Sequence, residues 1–377
     1  MDYNKLALEL HEKYKGKITT SLRDQRTLGR DELSAYYSPG VAAVSRAIAE
    51  NPADLGHYTW TNNLVAVISD GSAILGLGDL GPKAAMPVME GKGLLFKHFA
   101  GVDSVPIVLD VHEPEEIIAA VKAIAPSFGA INLEDIAAPK CFEIEERLKA
   151  ELDIPVFHDD QHGTAVVVLA GLINAAKVTG KNLADCKVVM IGAGAAGTAI
   201  AKLLHLYGMN NIYAVDSRGI ISDARDDLNA EKTALKEYLR TDISGTLDDA
   251  IADADIFIGV SKPGLLTPEM VAKMADDPIV FALANPVPEI MPDVAKEAGV
   301  AVIATGRSDF PNQVNNALAF PGIFRGALDT GVRKITDQHK IAAAEALAAL
   351  ADNPTADEVI PSPFDERVVS AVSAVIK

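Results

Sequence analysis

Four acids are the first candidates for chemistry in this chain of 377 residues. Glu134 and Asp135 in AINLEDIAAP, and Asp159 and Asp160 in PVFHDDQHGTA, each directly follow an apolar, strand-like run. In α/β folds, sites gather at strand ends. Carboxylates crowded together cannot all stay ionised without a cation. If the two pairs meet in space, a hard divalent ion such as Mg²⁺ or Mn²⁺ is their natural ligand. The other reading makes each pair an exposed turn or a helix N-cap. His158 and His162 are four apart, like the zinc pair of H-E-x-x-H. The second position is Asp, however, Gly163-Thr164 suggests that a helix begins only there, and no third ligand is signalled.

Two more side chains could move protons. Tyr37 precedes Ser38-Pro39-Gly40 and the helical run VAAVSRAIAE. Ser38 is expected to cap that helix, with Pro39 as its first residue, which puts Tyr37 at the positive end of a helix dipole, where a phenolate is favoured. A tyrosine that merely staples a helix start is the alternative. Lys92 lies in PVMEGKGLLFKHFAG with apolar residues on both sides. It reads either as a half-buried lysine with a depressed pKa or as a surface lysine whose stem snorkels.

A third constellation is a phosphate cradle. The run KVVMI leads into Gly192, Ala193, Gly194, Ala195, Ala196 and Gly197, then a segment of helical period, then NIYAV ending in Asp216. Strand, glycine turn, helix, second strand and an acid about 20 residues on form the context in which G-x-G-x-x-G binds a dinucleotide. The turn brings backbone close to the pyrophosphate, and the helix N-terminus meets its charge. Asp216 favours NAD, since a carboxylate there repels the extra phosphate of NADP. Arg218 is either a partner for that phosphate, leaving NADP possible, or a solvated surface residue.

The elements that would position these groups form two α/β units. From Val188 onward, KVVMIG, NIYAVD, DIFIGV, PIVFALAN and GVAVIATG alternate with helical or turn-rich segments, as in a doubly wound parallel sheet of Rossmann type. Earlier, helical stretches around 42–50, 84–100 and 115–123 flank LVAVIS and PIVLDV, with a glycine-rich run from Ile74 to Pro82. The expected division is a substrate domain over residues 1–160 and a nucleotide domain over 161–377, with alanine-rich helices after about Ala317 docking back. Apolar residues make up 49%, and the net charge is −18. That charge disfavours nucleic acid and anionic membranes. The longest greasy stretch, Ala165 to Ala176, contains Asn174 and falls short of a membrane span. The amino terminus has the pattern of an amphipathic helix and no signal-peptide core, and the two cysteines, Cys141 and Cys186, fit a reducing compartment. A cytoplasmic protein is expected.

Taken together, YSPGVA, SDGSAILGLGDLG, PVMEGKG, INLEDI, FHDDQHGTA, IGAGAAG, ALANP and QVNNALAFPG resemble the malic enzymes in their short bacterial form, in order from about Thr20 to Arg325. The resemblance implies oxidative decarboxylation of (S)-malate to pyruvate and CO₂ with a nicotinamide cofactor and Mg²⁺ or Mn²⁺. It implies Tyr37 as general acid, Lys92 as general base, and Glu134, Asp135 and Asp160 as metal ligands. Asp159 would orient the lysine and the substrate. Asn285 and Asn316 would hold the substrate or the nicotinamide side, and the short members look like homodimers. Larger members carry an arginine after DGS for the malate carboxylate, where this chain has Ala73. Arg23, Arg307 or a neighbouring subunit would then bind it. A metal-dependent oxaloacetate decarboxylase and a dinucleotide-sensing protein are the rival readings.

Overall fold

The computed structural model describes residues 3–74 and 77–377, so Leu75 and Gly76 of the glycine-rich run lie outside the described residues, as do the first two residues. Three helices, α1 (Tyr3–Tyr14), α2 (Arg30–Tyr36) and α3 (Val41–Glu50), form an amino-terminal arm. A single turn, α4 (Leu55–Tyr58), leads from the arm into the first strand, β1 (Leu64–Ser69). The helix expected from Pro39 begins instead at Val41, with Gly40 at its N-cap. The Gly40 N–H bonds the Ser34 carbonyl at 2.8 Å, and a Cβ on Gly40 would lie 2.5 Å from the Ala35 carbonyl oxygen. This tight turn between α2 and α3, rather than a serine cap, sets the boundary. Tyr37 is consequently the C-cap of α2, and its carbonyl accepts from the Val41 N–H at 2.9 Å where α3 begins.

All six residues of β1 are buried, as expected of a parallel strand covered on both faces. Helix α5 (Pro82–Ala100) leads to β2 (Asp103–Val108), α6 (Pro114–Ile124) to β3 (Ala130–Leu133), and α7 (Lys140–Glu151) to β4 (Val156–His158). These strands make a parallel sheet in the order β2-β1-β3-β4. Then comes α8 (Asp159–Thr179), whose run from Ala165 to Leu172 is wholly buried. At 21 residues this helix is long and apolar enough to cross a membrane, but it packs against α9 and α15, defined below, as a core helix. Asn174 bonds the carbonyls of Ala348 and Val359, which accounts for a polar side chain at its buried centre.

The second sheet starts with β5 (Val188–Ile191), α9 (Ala195–Leu206), β6 (Ile212–Asp216) and the two-residue β7 (Gly219–Ile220). Short helices α10 (Ala230–Leu235), α11 (Leu247–Ile251), α12 (Pro268–Val271) and α13 (Pro292–Glu297) alternate with β8 (Ile256–Gly259), β9 (Ile279–Ala282) and β10 (Val302–Thr305). The order is β10-β9-β8-β5-β6-β7. Every pairing is parallel except β6 with β7, which a tight turn at Ser217-Arg218 folds back. The chain reverses direction across the sheet at β5, which places the cleft for a dinucleotide at the carboxyl ends of β5 and β8.

The last helices are α14 (Phe320–Thr330), α15 (Asp337–Ala348) and α16 (Arg367–Ser373). Helix α14 crosses back to α5, where Phe320 and Phe324 meet Phe96 edge-on at 4.8 and 5.2 Å between ring centres. A single apolar core thus runs from Val65, Val67 and Phe96 through α8 into the second sheet.

Candidate active site

The four acids converge. Strand β3 runs out at Leu133, so Glu134 and Asp135 sit just beyond its carboxyl end, while β4 ends at His158 and Asp159 opens α8 without an intervening loop. The helix therefore begins four residues before Gly163, where the sequence suggested a start. Asp159 and Asp160 occupy its first turn, where the helix dipole stabilises negative charge. Asp135 holds a left-handed backbone conformation (φ 52°) and its N–H donates to Asp160 at 2.8 Å. One oxygen from each of Glu134, Asp135 and Asp160 lies within 4.8 Å of the others.

Lys92 comes from the middle of α5 and is buried. Its Nζ lies 2.5 Å from Asp159 Oδ2, 3.0 Å from Glu134 Oε1 and 3.2 Å from Asn316 Oδ1, above the Phe320 ring at 4.8 Å. Burial is the strongest single influence on this lysine and would lower its pKa. Asp159, Glu134 and Asp160 together outweigh it and hold Lys92 above the ordinary value. The depressed pKa read from the sequence is thereby reversed, because the apolar neighbours in α5 were legible there and the acids from β3 and α8 were not. Burial, then the Asp160 charge, pushes Glu134 well up, and burial raises Asp159 against the pull of Lys92. Asp159 Oδ1 is buried with no hydrogen-bond partner among the described residues. Crowded carboxylates and an orphaned oxygen describe a donor set that lacks positive charge.

At the second sheet, Gly192 (φ 108°) could not carry a Cβ without meeting the Val260 carbonyl at 2.6 Å, and a Cβ on Gly197 would collide with the Gly192 carbonyl. Those two glycines are fixed by packing. Gly194 faces open space at the start of α9, leaving room for a pyrophosphate beside the amides of Ala195 and Ala196. Asp216 ends β6 as expected, but its partners had not been singled out. Arg225 Nη1 donates to Oδ1 at 2.7 Å and Lys232 Nζ to Oδ2 at 2.6 Å, and these bonds hold the carboxyl below its usual range although burial acts the other way. Arg218 offers Asp216 only its backbone N–H and pairs its guanidinium with Asp227. Neither Arg225 nor Lys232 belongs to a motif, and the tertiary fold alone brings them in.

The remaining predicted residues are dispersed. Asn316 joins Lys92. Asn285 follows β9 beside Gly306, and Arg307 bonds the adjacent Pro286 carbonyl, Asp309 and the Phe310 ring. Arg23 binds Asn62 and Asp103 where β1 and β2 begin, at the opposite end of the strands from the acids. Tyr37 stands 70% exposed on the arm. His162 is no zinc ligand by its contacts. It bonds Glu145 at 2.8 Å and Lys340 at 3.0 Å within a buried charge network.

Residues 15–149 match the family described as malic enzyme, N-terminal domain, and residues 161–376 match malic enzyme, NAD binding domain. The chain is 54% identical to the bifunctional malic/malolactic enzyme of Bacillus subtilis, covering 100% of this chain and 92% of that one. It is 58% identical to the NAD-dependent malic enzyme of Geobacillus stearothermophilus, covering 95% and 75%. The crystal structure of an NAD-dependent malic enzyme from Thermotoga maritima superposes with a TM-score of 0.96 at 50% identity, covering 98% of both chains.

Proposed function

The chain belongs to the malic enzymes, and from that premise we propose that it oxidises (S)-malate with NAD in preference to NADP, with a divalent cation held by Glu134, Asp135 and Asp160, Lys92 as base and Tyr37 as acid. Members of the family couple malate oxidation and decarboxylation to reduction of a nicotinamide. The observation that carries the finer reading is Lys92 Nζ at 2.5 Å from Asp159 and 3.0 Å from Glu134, on the rim of three converging carboxylates. Mg²⁺ or Mn²⁺ suits three hard oxygen donors, and it would supply Lewis-acid polarisation of the keto oxygen and an electron sink as CO₂ leaves.

Lys92 is the group that accepts the C2 hydroxyl proton as hydride departs to the nicotinamide, and a cation held by the acids would weaken their hold on its ammonium. Asp159 and Asn316 hold Nζ in place for that transfer. The buried ring of Phe320 closes the space beneath it. Tyr37 then protonates C3 to give pyruvate. Arg307, near Asn285 at the carboxyl ends of the second sheet, is the candidate for the malate carboxylate that Ala73 cannot bind.

The NAD preference rests on Asp216. Because Arg225 and Lys232 offset its charge, a 2′-phosphate meets a weaker barrier, which supports NADP as a secondary cofactor. The reading includes a substrate domain over residues 1–160, a nucleotide domain over 161–377, a homodimer and a cytoplasmic setting, the last supported by two free, buried cysteines. Malate should reduce NAD when Mn²⁺ is added to chelator-treated protein and should fail to do so before. If oxaloacetate alone were decarboxylated and malate left NAD oxidised, the reading would fall to that of a decarboxylase with a structural dinucleotide.

A further inference from the structure

One buried acid takes no part in the chemistry described so far. Glu145, in the second turn of α7, is 5% exposed, and both its oxygens reach the junction of β4 and α8. Oε1 accepts from the His158 N–H at 3.0 Å, and Oε2 lies 2.8 Å from His162 Nε2. A carboxylate only accepts and an ammonium only donates. Glu145 on one ring nitrogen of His162 and Lys340, 3.0 Å from the other, therefore fix a neutral imidazole with its proton on Nε2. Lys149 Nζ, 2.5 Å from Oε1, offsets the buried charge, and its 3.4 Å approach to His162 Nε2 is too long to compete.

These two bonds bracket Asp159 and Asp160, one anchor falling just before the pair and the other just after it. The helix that the pair opens has no side-chain cap of its own. His158 stands at the N-cap, its side chain bonds no backbone N–H of the first turn, and both its ring nitrogens are buried without a hydrogen-bond partner among the described residues. The junction is thus fixed from outside, by α7. That helix starts at Lys140, shortly after Asp135, so the helix leaving the first acid pair carries the group that seats the second.

We propose that Glu145 is a positioning residue of the metal site: by clamping the β4–α8 junction on both sides, it holds Asp160 at ligand distance from Glu134 and Asp135. The inference rests on the reading of Asp160 as a ligand. Glu145 acts through the backbone, since two carboxylates offer each other no donor. Apolar side chains would serve mere packing as well, because taking a carboxylate and its cationic partners out of water brings little net stability. The bonds to His158 and His162 add direction, which packing does not.

Mn²⁺ and NAD are titrated separately, by calorimetry, into wild type, Asp160→Asn, Glu145→Ala and Glu145→Gln. Glu145→Ala removes both anchors and should weaken Mn²⁺ binding about 10- to 100-fold, as loss of an outer-shell partner of a metal ligand does, with NAD affinity unchanged. Glu145→Gln keeps an oxygen for the His158 N–H but turns an amide N–H₂ on the Nε2–H of His162. One anchor survives, and Mn²⁺ affinity should recover part of the way to wild type. Should Glu145→Ala not fold, Glu145→Gln carries the test alone, with weakened Mn²⁺ binding and intact NAD binding as the expected result. Wild-type Mn²⁺ affinity in the folded Glu145 variants, beside a loss in Asp160→Asn, overturns the clamp and leaves the ligand assignment standing. Parallel loss of Mn²⁺ and NAD affinity also overturns it, because Glu145 then serves only packing. If Asp160→Asn itself binds Mn²⁺ normally, the ligand reading falls and takes the clamp with it.

Discussion

The backbone N–H of Asp135 donates to the carboxylate of Asp160 at 2.8 Å, which ties the end of β3 to the first turn of α8. Two acids 25 positions apart are thus fixed at ligand distance before any cation arrives. Beside them, burial and then the charge of Asp160 hold Glu134 well above its ordinary value.

Asp160→Asn keeps an acceptor for that N–H while removing a charge. Mn²⁺ affinity, followed by calorimetric titration, should drop by at least the roughly 10- to 100-fold that loss of a mere outer-shell partner of a ligand costs. Decarboxylation should fall with it. An unchanged titration would remove Asp160 from the ligand set.

Asp216→Ala should narrow the preference for NAD over NADP, read as the ratio of the two kcat/KM values. Arg225→Gln should widen it, because the variant takes away a cation that offsets Asp216 and could meet the 2′-phosphate. Movement of both ratios in the same direction would contradict the opposing roles assigned to these residues.

Loss of Lys92 and loss of Tyr37 should separate by substrate. Lys92→Ala should cut malate oxidation by roughly 10²- to 10⁴-fold, as expected for removal of a positioned base. With oxaloacetate and Mn²⁺ the oxidation step is bypassed, and Tyr37→Phe should now show the larger defect in forming pyruvate. Equal loss of both variants on both substrates would mean that the pair acts through structure rather than by dividing the proton transfers.

Lys340 provides a pH signature remote from the chemistry. Burial, aided by Lys149, pushes its pKa down to about 8 from 10.5, with Glu145 and Asp337 opposing. Between those values the unfolded chain holds the proton and the folded chain has released it, so stability from this group rises with pH from about 8 to 10.5. Below about 8 both states are protonated, and the folded one bears the cost of a buried ammonium. In Lys340→Met the Tm, measured by calorimetry, should climb less steeply across that window. An identical slope in wild type and variant would show that Lys340 titrates normally.

What could be seen in the sequence depended on whether a signal was local. The strands from β5 to β10 announce themselves as buried apolar runs, and the glycine turn carries its own context. The two-residue β7 is too short to have a pattern. The start of α3 is not legible locally, because a serine before a proline resembles a cap, whereas the close approach of Gly40 to the Ala35 carbonyl governs the turn. Glu134, Asp135, Asp159 and Asp160 are legible as acids after apolar runs, yet the electrostatic state of Lys92 is set by Asp159, Glu134 and Asp160 across a tertiary contact that no local pattern announces.

Helix α14 crosses back to rest Phe320 and Phe324 on Phe96. This makes the first half of the protein a debtor to its last quarter during synthesis. When the ribosome has delivered residue 160, all four strands of the first sheet exist, but the aromatic floor beneath Lys92 is still about 160 residues, or roughly 8 to 30 s, from being made. A chain truncated just before Phe320 should therefore bind a hydrophobic dye that the full protein ignores. Throughout that interval the nascent chain carries an exposed greasy face, which makes it a client for chaperones until its own carboxyl-terminal segment arrives to close it.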